Sequence, residues 1–262
     1  MNVQVFAISH PRFSERYDYI KKHLAVRTKL LWEIIGVDGR ELFERTDFEA
    51  LGHSQNLSAG QIGCALGHCL AYQKMVDLGL TVALVVEDDV KLPKNLDEIL
   101  TVTISHILPG EVIQLHNPMM EANPFSTVNA TSVLDMNLMY PMSPRSIRSA
   151  SAYLITIDAA RAILELNNPV QHVADQWDKF YDLNCVSSYR ILHPSPVRWL
   201  PFESAIGYVA SDSLVGRIKL ALRHVPFAEA LKRLRRRYIF WKRLRNVVLV
   251  SSVSPIAPKG VE

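Results

Sequence analysis

The chain has 262 residues, of which 48% are hydrophobic, and a formal net charge of +3. It is long enough for one large or two small domains with a real core. No stretch approaches the roughly 18 continuous apolar residues of a membrane-spanning helix, which excludes that class of segment. The three cysteines, Cys64, Cys69 and Cys185, lack Cys-x-x-Cys spacing. They disfavour a disulfide framework or a zinc site and suit a reducing cytosol.

Hydrophobic periodicity predicts an alternation of strands and helices along most of the chain. The N-terminus carries no basic leader, so its apolar run is interpreted as a strand and not as a signal peptide. In chain order we predict a strand at 3–9, a helix at 11–24, a strand at 30–39, a helix from Ser58 to Gly79, a strand at 82–87, a helix at 95–106, strands at 111–117, 134–140 and 149–156, helices at 158–166 and 175–181, and a strand at 189–192.

Three features of this pattern refine the prediction. Alternating strands and helices favour an α/β layer fold with a mostly parallel central sheet, in which the all-apolar strand at 82–87 is central and buried on both faces. Residues 119–132 show no period and are predicted to form a long loop that acts as a substrate lid. Ser58 and Gln61 form a capping-box pattern at the start of the fourth element.

Charge is distributed unevenly between the body and the C-terminal part of the chain. Residues 216–247 carry 11 Lys and Arg but one acid, Glu229, whereas the remainder is mildly acidic. Mixed with Leu, Phe, Tyr and Trp, this basic stretch favours a helix lying on an anionic membrane surface. A nucleic-acid-binding tail, or a solvated or oligomer-forming helix, is the alternative. We therefore divide the chain into a catalytic domain at 1–212 and a basic, helical extension at 213–262.

The central strand ends in three consecutive carboxylates, Glu87, Asp88 and Asp89, within the segment VALVVEDDV. In α/β sheets, ligands bind outside the carboxyl ends of the strands, where these acids lie. Adjacent carboxylates repel each other, and a hard divalent cation such as Mg²⁺ or Mn²⁺ relieves that repulsion. The alternative is a strand that simply ends in solvent.

Several blocks of the sequence together resemble glycosyltransferase family 25, the bacterial lipopolysaccharide and lipooligosaccharide glycosyltransferases. The acidic segment VALVVEDDV resembles the acidic motif of that family. The other blocks, in the order of the family, are VFAISHPRFSER, EIIGVDGREL, LSAGQIGCALGHCLAYQKM and SASAYLITIDAARAIL. Two positions depart from the family pattern: Gln61 stands where Glu is usual, and Gly67 stands where Ser is usual.

The resemblance implies a GT-A type nucleotide-sugar fold and an inverting, metal-dependent transfer of a hexose. The donor would be a UDP-hexose, most often UDP-galactose in the family, and the acceptor a lipid-linked oligosaccharide. Asp88 and Asp89 would hold Mn²⁺ or Mg²⁺, and Glu87 would contact the donor. The enzyme would then work in the cytoplasm, peripherally on the inner face of the bacterial cytoplasmic membrane.

Further donor contacts are predicted from position. Arg12 and Arg16 follow the first strand and lie four residues apart, so both can approach the nucleotide, although a solvated helix face would have the same spacing. Asp38 follows the second strand and can accept hydrogen bonds from ribose or uracil, or simply form a turn. Gly63 allows a close approach by either the sheet or a ligand. His68 is either a ligand contact or a core histidine.

An inverting transfer needs a base for the acceptor hydroxyl, and Asp175 is our candidate. Trp177, two residues later, could stack on a sugar face. The alternative for Asp175 is an acid in the first turn of a helix. Because Gln61 carries no charge, a nucleotide-sugar-binding protein that has lost catalysis remains a second hypothesis, and a basic nucleic-acid-binding protein is a third. Binding of nucleic acid is not expected.

Overall fold

The structure is a computed structural model that describes residues 3–44, 51–117, 124–143, 145, 147–202, 234–235, 237–239 and 241. The strands are β1 Val3–Ile8, β2 Trp32–Ile35, β3 Val82–Glu87, β4 Val90–Lys91, β5 Glu111–Gln114, β6 Phe125–Val133, β7 Met136–Pro141, β8 Ala152–Thr156, β9 Ser188–His193 and β10 Arg198–Trp199. The helices are α1 Ser14–Arg27, α2 Gly39–Phe43, α3 Ala59–Asp77, α4 Leu96–Ile104, α5 Ile157–Leu166 and α6 Trp177–Asp182.

Eight strands form one sheet in the order β2-β1-β3-β8-β5-β9-β7-β6, and β10 pairs with β4 in a separate small sheet. Neighbours are parallel at β1–β2, β1–β3 and β5–β9, and antiparallel at the other four junctions of the large sheet. The α/β class is therefore confirmed, but a mostly parallel sheet is wrong. The sheet is mixed because β8 inserts in the reverse direction between β3 and β5, and β7 reverses again between β9 and β6.

Helices cover both faces of the sheet and create two cores. Val82, Leu84 and Val86 of β3 pack towards α1 and α4, whereas Ala83 and Val85 pack towards α3, α5 and α6. Because side chains alternate along a strand, burial on both faces requires a continuously apolar sequence. The predicted central and doubly buried position of this strand is confirmed.

Helix α3 begins as its sequence predicts. Ser58 Oγ accepts a hydrogen bond from the backbone N–H of Gln61, and the side-chain Oε1 of Gln61 accepts one from the backbone N–H of Ser58. These two hydrogen bonds complete the capping box. Gly79 follows the helix with a φ of +61°, the left-handed conformation that favours glycine after a helix. The cap fixes where α3 starts and therefore which of its residues face β3.

The region interpreted as a lid is in part a strand. Residues 118–123 lie outside the described part, but β6 spans Phe125–Val133 and pairs with β7. Since β6 is the last strand of the sheet and largely exposed, it shows no hydrophobic alternation, and its register shifts between Ser126 and Thr131. A solvated edge strand with a bulge leaves little periodic signal in the sequence.

The predicted boundary at 212–213 and most of the basic segment lie outside the described residues. The positions described there, from Leu234 to Trp241, are helical, and Leu234, Tyr238 and Trp241 are exposed. Within the part of the chain that the structure describes, no helix combines the length and the apolar character needed to cross a membrane.

Candidate active site

Six strands, β1, β2, β3, β5, β9 and β6, run in the same direction and bring their carboxyl ends to one edge of the sheet. This is the edge at which α/β sheets bind ligands. Polar side chains that end or follow four of these strands are Ser9, Asp38, Glu87, Asp88, Asp89 and His116. The sheet topology therefore gathers residues that are far apart in the sequence.

Asp88 and Asp89 converge on one guanidinium group. Arg16, on α1, contacts Asp88 Oδ1 through Nη2, and the same nitrogen lies 3.0 Å from Asp89 Oδ2. The second oxygen of Asp88 accepts a hydrogen bond of 2.6 Å from Ser9 Oγ. Burial raises the pKa of Asp88, against the lowering effect of Arg16. Both oxygens of Asp88 thus have partners within the chain, so Asp88 is held in place.

Asp89 is less well satisfied than Asp88. Its Oδ2 accepts from Trp199 Nε1 at 3.1 Å, but Oδ1 is buried without a hydrogen-bond partner. Burial, followed by the charge of Glu87, raises the pKa of Asp89 to about 6. An ionised carboxylate with an unpaired buried oxygen beside two further acids fits the oxygen-donor set of a Mg²⁺ or Mn²⁺ ion. Of the two predicted metal ligands, Asp89 is therefore the one with a carboxylate oxygen that makes no hydrogen bond and can bind a cation.

Glu87 faces the other side of the sheet, towards α3. Its Oε1 lies 3.7 Å from His68 Nε2 and 4.0 Å from Cys64 Sγ, and the ligand atoms of the three residues all lie within 4.8 Å of one another. His68 is almost fully buried, and its Nδ1 is 2.7 Å from Tyr153 Oη. The structure therefore brings the predicted donor contacts Glu87 and His68 together, and it includes a group in which a metal ion can be held.

A polar chain that the sequence analysis missed lies beside Glu87. His116 Nδ1 is 2.7 Å from Ser151 Oγ, which is 2.8 Å from Ser149 Oγ. Ser149 has a φ of +81°, a strained conformation for a residue with a side chain. His116 and Ser9 could have been found because they follow strands. Ser149 and Ser151 precede β8 and reach this edge only because β8 runs in the opposite direction.

Asp175 closes the same region. Burial raises its pKa, and the charge of Glu87 raises it further, while hydrogen bonding to the Ser149 backbone lowers it. The charge of Glu87 therefore acts on the predicted base. Its neighbour Trp177 is fully buried, with Nε1 donating to the Ser149 carbonyl at 2.9 Å. The predicted stacking of Trp177 on a sugar is wrong, because its ring is part of the core.

Trp199 has the exposed ring that was expected of Trp177. It is 53% exposed, and its Nε1 donates to Asp89. The strand β10 brings it there by pairing with β4, which directly follows the acidic triplet. The sequence offered no signal for this contact, since the segments around residues 89 and 199 are brought together by a two-residue strand pair and a hydrogen bond from the Leu200 amide to the Asp89 carbonyl.

The remaining predicted donor contacts lie at the ends of β1 and β2. Arg12 Nη1 donates to Asp38 Oδ2 at 2.7 Å, and this hydrogen bond lowers the pKa of Asp38, whose Oδ1 accepts from the Arg40 amide. Gly63 packs against the backbone here, since an added Cβ would lie 2.7 Å from the Gly39 nitrogen. The observed role of Gly63 is close packing of α2 on α3, while its contact with a donor stays a prediction.

Comparison with known proteins agrees with the chemistry of this edge. The profile described as glycosyltransferase family 25 (LPS biosynthesis protein) matches residues 3–177. A Haemophilus influenzae protein named as a glycosyltransferase is 29% identical over 143 residues, which are 53% of this chain and 48% of that protein. Procollagen galactosyltransferase 1 of Danio rerio is 32% identical over 99 residues, 34% of this chain and 16% of that protein. The chain thus spans half or less of these relatives.

A solved structure also aligns with the chain. It is a glycosyltransferase involved in the glycosylation of the major capsid of PBCV-1, with a TM-score of 0.38 and 10% sequence identity, and the match covers 73% of this chain and 81% of that one.

Proposed function

The chain belongs to glycosyltransferase family 25, and from that premise we propose that it moves a hexose, galactose in the first instance, from a UDP-sugar to a lipid-linked oligosaccharide with inversion. The fold would then be of the GT-A type. One observation carries the proposal: within the matched region, three acids end the central strand, and Asp89 retains a buried oxygen without a partner. This is where a cation and a nucleoside diphosphate would meet.

The chemistry of the donor set favours a hard divalent cation at the Asp88–Asp89 pair. Mn²⁺ or Mg²⁺ held there, principally by Asp89, would supply positive charge that stabilises the departing diphosphate. Asp88 keeps the turn after β3 in place through Ser9 and Arg16. Arg16 offsets part of the repulsion between the two acids and lies where the phosphates of a donor would enter.

The nucleoside and sugar would be seated by residues on either side of that pair. Asp38 is held by Arg12 and by the Arg40 amide, so its carboxylate is oriented before a ribose or uracil arrives. Glu87 is partly exposed at the end of β3, its Oε1 lies 3.7 Å from His68 Nε2, and its charge raises the pKa of Asp175. A fixed carboxylate can accept hydrogen bonds from sugar hydroxyls without further ordering.

Asp175 would take the proton of the attacking acceptor hydroxyl. Burial and Glu87 raise its pKa, which makes it a better proton acceptor than an exposed aspartate, and hydrogen bonding to Ser149 fixes its orientation. General-base catalysis of this kind contributes roughly 10²–10⁴-fold to a rate. The exposed ring of Trp199, on the other side of the acids, offers an aromatic face to the acceptor sugar.

The basic segment would bring the enzyme to its lipid-linked acceptor on the inner face of the cytoplasmic membrane. Leu234, Tyr238 and Trp241 are exposed and helical, with spacings of four and three residues, so they share one face of a helix. Each Lys or Arg near an anionic membrane surface adds about 1 kcal/mol of attraction. We therefore propose a catalytic domain at 1–212 followed by a membrane-associating extension.

The decisive experiment is a screen of UDP-hexoses for UDP release by the full chain, with Mn²⁺, with Mg²⁺ and with chelator. We expect one UDP-hexose to be used, in a metal-dependent manner. Asp175→Asn should reduce release by about 10²-fold or more. Asp182→Asn is the control, because Asp182 is an exposed partner of Arg145 in the same part of the chain.

Three results would count against this proposal. Release from no UDP-hexose would remove the donor class. Equal activity of the Asp175→Asn and Asp182→Asn variants would remove the assigned base. Tight UDP-sugar binding without release would favour the second hypothesis, a binding protein that has lost catalysis.

A further inference from the structure

A second group of potential metal ligands lies on the α3 side of β3, apart from the contacts of Asp88 and Asp89 with Arg16. Cys64 and His68 are four residues apart on α3 and therefore share a helix face. Glu87 approaches them from the end of β3, at 4.0 Å from Sγ and 3.7 Å from Nε2. Among the described residues, these three form a cluster whose ligand atoms all lie within 4.8 Å of one another.

The orientation of His68 points to a ligand. Its Nδ1 is engaged with Tyr153 Oη at 2.7 Å, and Tyr153 in turn contacts the hydroxyl of Tyr72. Nε2 therefore faces Glu87 and Cys64, buried and without a hydrogen-bond partner. Metal-bound histidines typically use one ring nitrogen for the metal and the other for an outer hydrogen bond that fixes the ring.

The ligand chemistry separates this cluster from the acidic pair. A thiolate, an imidazole and a carboxylate form a set that suits Zn²⁺, whereas carboxylates alone suit Mg²⁺ or Mn²⁺. Zn²⁺ lies about 2.0–2.3 Å from such ligands, so binding would draw the three atoms together by roughly 1 Å. The absence of Cys-x-x-Cys spacing disfavoured a zinc site in the sequence analysis. That criterion recognises sites built on two cysteines and not sites with one cysteine.

We propose that Cys64, His68 and Glu87 form a Zn²⁺ site with an open fourth position. On binding, the Cys64 thiol loses its proton to solvent and the thiolate bonds to the metal. Tyr153 is a positioning residue, because it orients His68 without touching the ion. Glu87 then belongs to two sites, so bound Zn²⁺ would compete with a UDP-hexose. That last consequence rests on the proposed function, whereas the zinc site itself does not.

The test is a titration of the metal-free, reduced full chain with Co²⁺, read by the absorption band of a thiolate bonded to cobalt, followed by displacement with Zn²⁺. We expect the band to form at one equivalent and to be lost when Zn²⁺ is added. Cys64→Ser should abolish it. Cys69→Ser is the matched control on the same helix, since Cys69 Sγ contacts the Asn167 carbonyl instead.

Three further variants sharpen the result. Glu87→Gln, at a partly exposed side chain, should weaken Co²⁺ binding at least tenfold, and it keeps the test decisive if Cys64→Ser does not fold. Tyr153→Phe should weaken binding by about 10–100-fold. Asp89→Asn should leave the band unchanged, which separates failure of this site from failure of the proposed transferase site. No thiolate band, or a band that survives Cys64→Ser but not Cys69→Ser, would overturn the proposal.

Discussion

Carboxylates at the two edges of the sheet differ in how completely their charges and hydrogen bonds are satisfied. At the amino end of β5, Glu111 is fully buried, and its two oxygens each receive a 2.6 Å contact from Arg190, through Nε and Nη2. Ser188 Oγ and the Leu108 amide donate to the same carboxylate. The charge of Glu111 is therefore balanced by that of Arg190, and both of its oxygens accept hydrogen bonds.

At the carboxyl edge three acids are consecutive in the chain, and Arg16 contacts two of them, Asp88 and Asp89. Asp89 Oδ1 has no partner, and the pKa of both aspartates is raised by burial. The Glu111–Arg190 pair, with all its hydrogen bonds made, holds β5 and β9 together. The three acids after β3 carry more negative charge than Arg16 neutralises, which favours binding of a cation and lowers the stability of the metal-free fold. The comparison teaches that the number of buried charges matters less than whether their hydrogen-bonding capacity is filled.

The largest expected effect is at the satisfied edge. Glu111→Gln leaves Arg190 buried without its counter-charge, and we expect the free energy of unfolding to fall by about 3–5 kcal/mol. Chemical denaturation measures it. The double variant Glu111→Gln/Arg190→Met should recover part of the loss because both charges are gone. A loss under about 1 kcal/mol would show that the ion pair between Glu111 and Arg190 does not stabilise the fold.

Asp89→Asn should reduce activity and leave the fold stable. We expect sugar transfer to fall by about 10²–10³-fold, since the charge that holds the cation is removed while the fold is kept. Initial rates with saturating donor and Mn²⁺ measure it. Asp77→Asn, on the exposed end of α3, is the control and should retain wild-type rates. Full activity of Asp89→Asn would remove the metal argument.

The pH dependence of stability sharpens the comparison further. The pKa of Asp89 is about 6 in the folded chain against an ordinary value of 3.8, so the unfolded chain loses this proton first as the pH rises. Ionised Asp89 therefore destabilises the metal-free fold, by an amount on the order of 2–3 kcal/mol above about pH 6 that disappears below about pH 4.

Denaturation in chelator, compared between wild type and Asp89→Asn, measures that effect. The difference in the free energy of unfolding should be near zero below about pH 4 and should grow, in favour of the variant, up to a plateau above about pH 6. A difference that does not change with pH would mean that Asp89 is not ionising within the fold as described.

The smallest expected effect concerns the cap of α3, which positions Cys64 and His68. Ser58→Ala should cost about 1 kcal/mol of stability. Gln61→Glu should change stability by less than about 0.5 kcal/mol, because a carboxylate can accept the same hydrogen bond from the Ser58 amide. Thermal denaturation and transfer rates measure both. A tenfold gain in transfer for Gln61→Glu would instead support a catalytically weakened enzyme.

The sequence predicted the elements with strong local signals. The strand at 82–87 is continuously apolar and α3 carries a complete cap, and both are confirmed. It could not predict the direction of β8, because an antiparallel strand buried on both faces has the same apolar composition as a parallel one. The edge strand β6 was missed because exposure removes the alternation on which strand prediction depends.

In the candidate site, residues that follow strands were predictable from the sequence, whereas contacts that depend on tertiary packing were not. The acids after β3 were identified from position and charge, but the partners of Arg16 depend on how α1 packs on the sheet. The prediction of an exposed ring at Trp177 failed, and the exposed ring is that of Trp199, because burial of a tryptophan is decided by tertiary packing. Ser149 could not be found at all, since its role follows from the reversed direction of β8.

That reversal has a practical consequence for anyone who modifies the chain. The described segment 147–151 before β8 lies at the carboxyl edge, so a tag or a circular-permutation break next to Ser149 would disturb that residue and, through it, Asp175. Gly79, at the opposite edge, has no heavy atom within 4 Å of where a Cβ would stand. A short glycine-rich insertion at that turn should leave the chemistry untouched, which makes it the natural attachment point for a reporter.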